Sequence, residues 1–415
     1  MVDLAVDISR IKEDILSLAA IGRNEGDRGV YRQAFTDADM EGKRWLLHRI
    51  EENGLEPASD GAANISGLLR AREPTPHIIV GSHIDTVPCA GTLDGTLGVV
   101  VGLECLRVLK AAGINPAKTL ELIAFSDEEG RFGGMFGSEA FCGFLNLDKL
   151  QSTTDLDGTP LTEAMLRQGL DPLRALDARR DPAAIECYLE LHIEQGPVLD
   201  RELDQVGIVE RITGLQTWSL RLLGESNHAG TTPMDYRRDA LMGLADFAHE
   251  IPRILDENGV ETSRATIGKA QIQPGAANTV PGIVEFSLDF RDPDESVLRA
   301  LADAFQKALA AICRRRQLKF EYTVQGDIKP VASNERLVEI LDQTARRLGL
   351  RHRRMLSGAA HDAQQVGRIA PMAMIFVPSK SGQSHSPSEW TSWDDIEAGG
   401  NLLLNSLLEL AAPQQ

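Results

Sequence analysis

The sequence is short of aromatic rings, of paired cysteines and of positive charge. Aromatics make up 5% of the 415 residues, too few for a stacking platform that would bind single-stranded nucleic acid. Five cysteines (Cys89, Cys105, Cys142, Cys187 and Cys313) are scattered, with no C-x-x-C pair. That excludes a cysteine metal knot and a disulfide framework, and it fits a reducing, cytoplasmic setting. No apolar run approaches the length of a membrane span. The opening MVDLAVDISRIKEDIL mixes acids into an amphipathic pattern and lacks a basic, then apolar, leader. The net charge of −18 opposes binding to phosphate backbones or anionic membranes. It does not oppose a small substrate, because Arg291 and the Arg237-Arg238 pair can supply local positive charge.

What is present is the balance of a soluble globular protein, 42% hydrophobic and 25% charged. The length calls for two compact domains. Residues 6–20 and 38–53 have the three- and four-residue apolar spacing of amphipathic helices. HIIVGSHIDTV (77–87) opens as a buried strand, residues 95–113 follow as a helix, and TLELIAFS (119–126) is a second buried strand. This order predicts an α/β domain with a mostly parallel central sheet. AIECYLELHIEQG (184–196) reads as a further sheet strand. After Gly214 the pattern changes to strand 217–226, helix 237–256, strands 264–273 and 283–290, helix 294–315 and strand 318–326. That βαββαβ order predicts a ferredoxin-like insertion. The expected division is 1–213 and 330–415 for the first domain, with 214–329 inserted.

Four segments place His, Asp or Glu beside glycine at strand ends. In GSHIDTVPCAGTLDG, His83 and Asp85 are two apart and share a side of the strand. If a metal binds, Asp85 suits the role of accepting the second ring N–H of His83, leaving His83 and Asp94 as ligands. FSDEEGRFGG closes a strand with Asp127, Glu128 and Glu129. Taken alone, that run reads better as an acidic helix N-terminus. Beside a metal, one glutamate would coordinate and the other would handle a proton. LELHIEQGP sets His192 and Glu194 on one side with Gln195 beyond. GQSHSPSEW carries His385 in a small, polar loop. Ligands in α/β folds gather beyond the carboxyl ends of strands. Nitrogen and oxygen donors without thiolates suit Zn²⁺, Mn²⁺, Co²⁺ or Ni²⁺. In the insertion, His228, Asn278 and Arg291 each have an ordinary reading as loop His, turn Asn and surface Arg. Together they also suit an oxyanion donor and an anion clamp.

With these segments in view, nearly the whole chain resembles the M20-type metallopeptidase superfamily. Within it, the motifs GSHIDTVPCAGTLDG, FSDEEGRFGGMFGS, LHIEQGPVLD, NHAGTTPMDYRRD, QPGAANTVPG, LDFRDPD, SGAAHDAQ and SHSPSEW look like those of the hydantoinase/carbamoylase amidases. That branch includes N-carbamoyl-L-amino acid hydrolases, β-ureidopropionases and allantoate amidohydrolases. The resemblance implies a dimetal exopeptidase-like catalytic domain and an inserted lid and dimerisation domain. It implies two divalent ions, zinc first. His83 and His192 would hold one, Glu129 and His385 the other, and Asp94 would bridge them. Glu128 would be the general base and Asp85 would orient His83. Asn278 and Arg291 would grip a substrate carboxylate and Gln195 would touch substrate. His228, from the partner subunit of a homodimer, would polarise the scissile carbonyl. His361, Asp362 and Gln364 of SGAAHDAQ would line the site. The expected reaction is hydrolysis of an N-carbamoyl-L-amino acid, with allantoate or another N-acyl amino acid as alternatives. A non-catalytic binding protein on this fold would have lost ligands or base, and none is missing.

Overall fold

The computed structural model describes residues 3–412. The chain divides into two compact units. One joins the chain up to Glu210 to the chain from Ala332 onward; the other is Arg211–Val331, against the expected insertion at 214–329.

The first unit is built on a large sheet. Its strands run Glu56–Ser59, Ile65–Leu69, Leu120–Phe125, His77–His83, Ile185–Ile193, Met372–Val377, Val206–Ile212 and Val331–Ala332, with His352–Ser357 pairing to Val206–Ile212. The four middle strands, Leu120–Phe125 to Met372–Val377, are mutually parallel. Antiparallel pairs flank them on both sides. The middle strands are buried on both faces, so they read as continuous apolar runs: LELIAF and MAMIFV are buried at every position. The helix Thr96–Ala111 lies in the core and is buried on nearly every face, because its TLGVVVGLECL stretch has no polar side wide enough to meet water. Helices Ile8–Ala20 and Trp393–Leu410 join the same core. Arg32, only 1% exposed, spends its guanidinium on the carbonyls of Ile84, Leu18 and Ile21 and on Thr96 Oγ1. It ties the first helix to the loop after His83. Parallel strands place all their carboxyl ends along one edge of the sheet. His83, the 127–129 run, His192 and the loop carrying His385 all leave from that edge.

The second unit is a five-stranded antiparallel sheet, ordered Lys319–Ile328, Gly214–Leu223, Ile283–Asp292, Arg264–Thr266, with Ala270–Gln273 also on Ile283–Asp292. The expected strand 264–273 is thus two short strands broken around Gly268. Alternation sorts the faces: Trp218, Leu220 and Leu222 are buried with Phe286, Leu288 and Phe290, beneath helices Ala240–Asn258 and Glu295–Arg316. Phe247, Phe290 and Phe305 pack edge to face, with centroids 5.2–6.0 Å apart in the two pairs made by Phe305. Arg221, Glu285 and Glu321 ladder across the opposite face. No helix among the described residues is long and apolar enough to cross a membrane.

The two helices are also pinned by charge. Asp246 accepts from Arg315 Nη2 at 2.7 Å and Arg316 Nη2 at 2.7 Å. Those bonds, Arg316 first, pull the Asp246 carboxyl down to about 2 from 3.8. A depressed carboxyl stabilises the fold above its unfolded pKa and stops doing so as pH falls through its folded one. Asp246→Asn is therefore expected to be less stable than the native chain at pH 7, by on the order of 1 kcal/mol after solvent screening. Urea melts should show that gap shrinking between roughly pH 4.5 and pH 2.

Candidate metal centre and active site

Two histidines arrive at the sheet edge with their rings already oriented. His83 ends its strand and His192 is the next-to-last residue of its own; each is 1% exposed. His83 Nδ1 lies 3.1 Å from the Asp85 carbonyl oxygen. His192 Nδ1 lies 2.9 Å from the Ile193 carbonyl oxygen. A carbonyl only accepts, so each Nδ1 carries a proton, and each ring when neutral presents its lone pair at Nε2, the form that binds metal.

Both lone pairs face Asp94. Its Oδ1 is 3.2 Å from His192 Nε2 and 3.8 Å from His83 Nε2. Its Oδ2 is 3.3 Å from His385 Nε2, and His385 Nε2 is also 3.3 Å from Glu129 Oε2. The result is two triads, His83–Asp94–His192 and Asp94–Glu129–His385, in each of which the donor atoms lie within 4.8 Å of one another. Donors held at roughly 2.0–2.2 Å from one ion sit about 3.2–3.6 Å apart. The spacing therefore fits an ion in each triad, with Asp94 shared. Gly95 makes this approach possible. It has φ of +60°, and a Cβ there would overlap the His83 ring.

The electrostatics point the same way. Burial, then Asp94, Asp85 and Glu389, push the Glu129 carboxyl well up, and its Oε1 is buried without a partner. Burial, then Asp362, Glu129 and Asp94, do the same to Glu128. Burial takes His83 down to about 4. Burial also opposes charge on His192, but the hydrogen bond and charge of Asp94 and the charge of Glu190 outweigh it and raise that ring to about 9. Carboxylates crowded in this way call for cations. Divalent ions on the Nε2 and carboxylate donors would supply them. Three protein donors per ion would leave positions open, as catalytic sites require.

Glu128 stands beside the triads, its Oε2 3.5 Å from His83 Nε2. The acidic run is not a helix start: Asp127 has φ of +55°, and the next helix begins only at Phe136. The Asp127 carboxylate accepts from Phe132 N at 3.1 Å and tightens the glycine-rich loop that follows. Asp85 also differs from expectation. Its carboxylate is 3.9 Å from the His83 ring, while its backbone carbonyl fixes the ring. The carboxylate instead accepts from Glu128 N at 3.3 Å and Glu129 N at 3.2 Å. Gln195 donates from Nε2 to Asp94 Oδ2 at 2.8 Å, so its amide nitrogen is taken by the central carboxylate, while its Oε1 is buried without a partner. His361 and Asp362 are buried beside the ligands, at 2% and 0% exposed, and the His361 ring packs edge-on against His192 with centroids 4.6 Å apart.

A third grouping, Glu190–His192–His361, has donors equally near. Glu190 is already satisfied by Ser82 Oγ, Tyr188 OH and Ala363 N. It serves as a charged backing for His192. The sequence reading passed over Glu389 and Ser384, although both lie in the GQSHSPSEW segment. Glu389 Oε1 accepts from Leu93 N and Asp94 N at 2.8 and 3.1 Å. The available signal was a glutamate four residues after a candidate ligand, too common to read alone.

The second unit separates its three candidates. His228 follows the strand Gly214–Leu223 and is exposed. Its Nδ1 accepts from Gly230 N at 3.0 Å and Thr231 N at 3.2 Å. The proton must then sit on Nε2, which becomes a donor. Asn278 lies alongside: its carbonyl takes Ala229 N at 2.9 Å, and His228 bridges Thr279. Arg237 braces this loop through the Thr232 and Ala229 carbonyls and is a structural residue. Arg291 is elsewhere. Leu223 pairs with Ile283 and Leu215 with Arg291, so Arg291 is at the far end of the sheet, about 26 Å along the strand from the His228 end. Its Nε donates to Asp289 Oδ1 at 2.8 Å. Asn278 and Arg291 of one chain cannot grip one carboxylate together.

Three comparisons bear on this geometry. Residues 79–409 match the model of peptidase family M20/M25/M40. The chain is 35% identical over 97% of its length to an N-carbamoyl-L-amino-acid amidohydrolase of Paenarthrobacter aurescens, of which it covers 97%. It is also 35% identical over 97% of its length to an allantoate amidohydrolase of Escherichia coli (strain K12), again covering 97%. A crystal structure of a hydantoinase/carbamoylase family amidase from Burkholderia multivorans superposes with a TM-score of 0.89, 34% identity and 99% of each chain covered.

If the Asp85 carboxylate holds the acid pair, Asp85→Asn should leave metal uptake within about tenfold of the native protein. It should lower kcat by on the order of 10²-fold, because the base is mispositioned. Metal titration alongside steady-state kinetics checks this. Loss of metal with kcat per bound metal unchanged would return Asp85 to an imidazole-orienting role.

Proposed function

The chain belongs to peptidase family M20/M25/M40 and hydrolyses C–N bonds; we propose that its substrate is an N-carbamoyl-L-amino acid. The observation that carries the reading is the placement of Glu128 beside two triads that share Asp94. The similarity to the Paenarthrobacter amidohydrolase supports the substrate. The equal identity to the Escherichia coli enzyme supports allantoate as a second reading, and another N-acyl amino acid is a third. The ions are two, with Zn²⁺ first and Mn²⁺, Co²⁺ or Ni²⁺ as alternatives. The setting is cytoplasmic and the partner is a second copy of the chain.

When bound, the ions supply Lewis acidity to a water and to the substrate carbonyl. Glu128 takes the proton from that water as its oxygen attacks the ureido carbon. His228, a donor at Nε2, stabilises the oxyanion of the tetrahedral intermediate. Glu128 passes the proton to the amino acid nitrogen as the C–N bond breaks. Carbamic acid leaves and falls to ammonia and carbon dioxide. Arg291, the anion clamp, binds the substrate carboxylate in this reading.

The strand separating His228 and Asn278 from Arg291 supports the homodimer. One small substrate held by both ends needs two chains, one giving each end.

A panel of N-carbamoyl amino acids and allantoate, assayed for ammonia and for free amino acid, tests the substrate. Ammonia from allantoate alone would transfer the conclusion to the second reading. Glu128→Gln is expected to keep its metal and lose about 10²–10⁴-fold in kcat. Co-expression tests the dimer. His228→Ala and Arg291→Ala should each be nearly inactive alone. Their mixture should regain roughly a quarter of native activity, since half the dimers are mixed and one of their two sites is whole. No recovery in mixed dimers would place both residues in one chain's site or in none.

A further inference from the structure

The two triads draw on chain segments almost 300 residues apart, and one buried side chain outside both joins them. Glu389 is 5% exposed. Its Oε1 accepts from Leu93 N at 2.8 Å and from Asp94 N at 3.1 Å. Its Oε2 lies 3.1 Å from Ser384 Oγ, which is 2.8 Å from Asp94 Oδ2. Glu389 is four residues beyond His385, and its own N–H bonds the Ser386 carbonyl at 3.0 Å, closing a tight turn directly after the histidine. Gly91 leaves room for it: a Cβ at Gly91 would overlap the Glu389 side chain. Asp94 thus has its backbone held by Glu389 and its carboxylate reached by Gln195 and Ser384. His385 has φ of +54° and a half-exposed side chain. Its loop has little other burial to hold it.

We propose that Glu389 is a positioning residue for metal binding, a carboxylate clamp that sets Asp94 and the His385 loop at the spacing the second ion requires. It rests on the reading of these triads as metal sites. Glu389 coordinates nothing. It acts by reach and by accepting two backbone N–H groups that would otherwise be buried and unpaired. Accepting requires an sp² oxygen, not a charge. An amide oxygen in its place would take the same two N–H groups. The amide nitrogen would donate to Ser384 Oγ, freeing the single hydroxyl proton for Asp94 Oδ2. A shortened carboxylate would keep the charge and lose the span.

The experiment titrates metal-stripped protein with Zn²⁺ and with Mn²⁺ by calorimetry, comparing Glu389→Gln, Glu389→Asp and Glu389→Ala with the native chain. Melting temperatures of the stripped proteins are taken in parallel. Glu389→Gln is expected to bind both ions within about threefold of native. Glu389→Ala and Glu389→Asp should weaken at least the second binding event by about 10–100-fold, the range for residues that orient ligands. If Glu389→Ala does not fold, Glu389→Asp carries the test. Native-like affinity in Glu389→Asp overturns the proposal. So does equal loss in Glu389→Gln, which would make charge the cause. Weakening that tracks the fall in melting temperature across the three variants would show a purely structural role and overturn it too. A native chain that takes up no metal would remove the site reading itself, and the clamp with it.

Discussion

The catalytic unit depends on one carboxylate facing three imidazoles. Asp94 is 4% exposed, yet the hydrogen bonds and charges of His192, His385 and His83 outweigh its burial and hold it well below the usual carboxylate range. Its two oxygens divide the site: one is turned to His83 and His192, the other to His385. That division requires the histidines to converge from three different segments on a point just ahead of the helix Thr96–Ala111. The parallel strands supply two of them, because their carboxyl ends lie side by side. Asp94 itself comes from the loop between a strand and its crossover helix, the place where α/β folds expose a side chain above the sheet.

Around Asp94 the chain has gathered more acid than base. Asp85, Glu128, Glu129, Glu190, Asp362 and Glu389 are all pushed upward, burial first in every case. Burying charge is costly unless it is paired. Some of these groups are paired locally. Asp85 accepts two backbone N–H groups and Glu190 three polar hydrogens. Glu129 is left with an unpaired oxygen. Asp85 and Glu190 are thus satisfied by the protein, while Glu129 keeps an oxygen that an ion would take. The same density raises the Glu128 carboxyl, which strengthens it as a base toward a water proton.

Much of this was legible in the sequence, and the illegible part has a physical pattern. Buried parallel strands announce themselves by unbroken apolar runs, so 77–87, 119–126 and 184–196 fall where strands are found, and the ligands follow at their ends. The alternation in TWSLRLLGES likewise marks a one-sided sheet. The five residues expected as ligands also come together, in the two triads. What the sequence did not carry is direction. Asp85 lies two residues from His83 in either account, but only coordinates show its carboxylate turned toward Glu128 and Glu129. The 127–129 run looks like a helix start because a left-handed Asp127 leaves no trace in composition. Glu389 serves Leu93 and Asp94 across nearly the whole chain, a pairing no local pattern encodes. The break at Gly268 divides a strand that hydrophobic alternation alone would continue.

Backbone geometry assigns the histidines their opposite roles. His83 and His192 place Nδ1 against carbonyl oxygens, which forces the proton onto Nδ1 and the lone pair onto Nε2. His228 places Nδ1 against two N–H groups, which forces the reverse. The side chain is the same in all three. The difference lies in the loop. At the end of a parallel strand the ring meets the carbonyl of a residue one or two places on. In the Asn-His-Ala-Gly-Thr turn the ring instead meets the N–H groups of the residues two and three places on. When neutral, the first pair carries its lone pair at Nε2, where a cation would bind, and the third carries its proton there and can donate. A substitution that kept His228 but redirected the Gly230 and Thr231 amides would therefore no longer hold the proton on Nε2. The turn and the histidine act together in setting that proton, and the same holds for the carbonyl that Asp85 lends to His83.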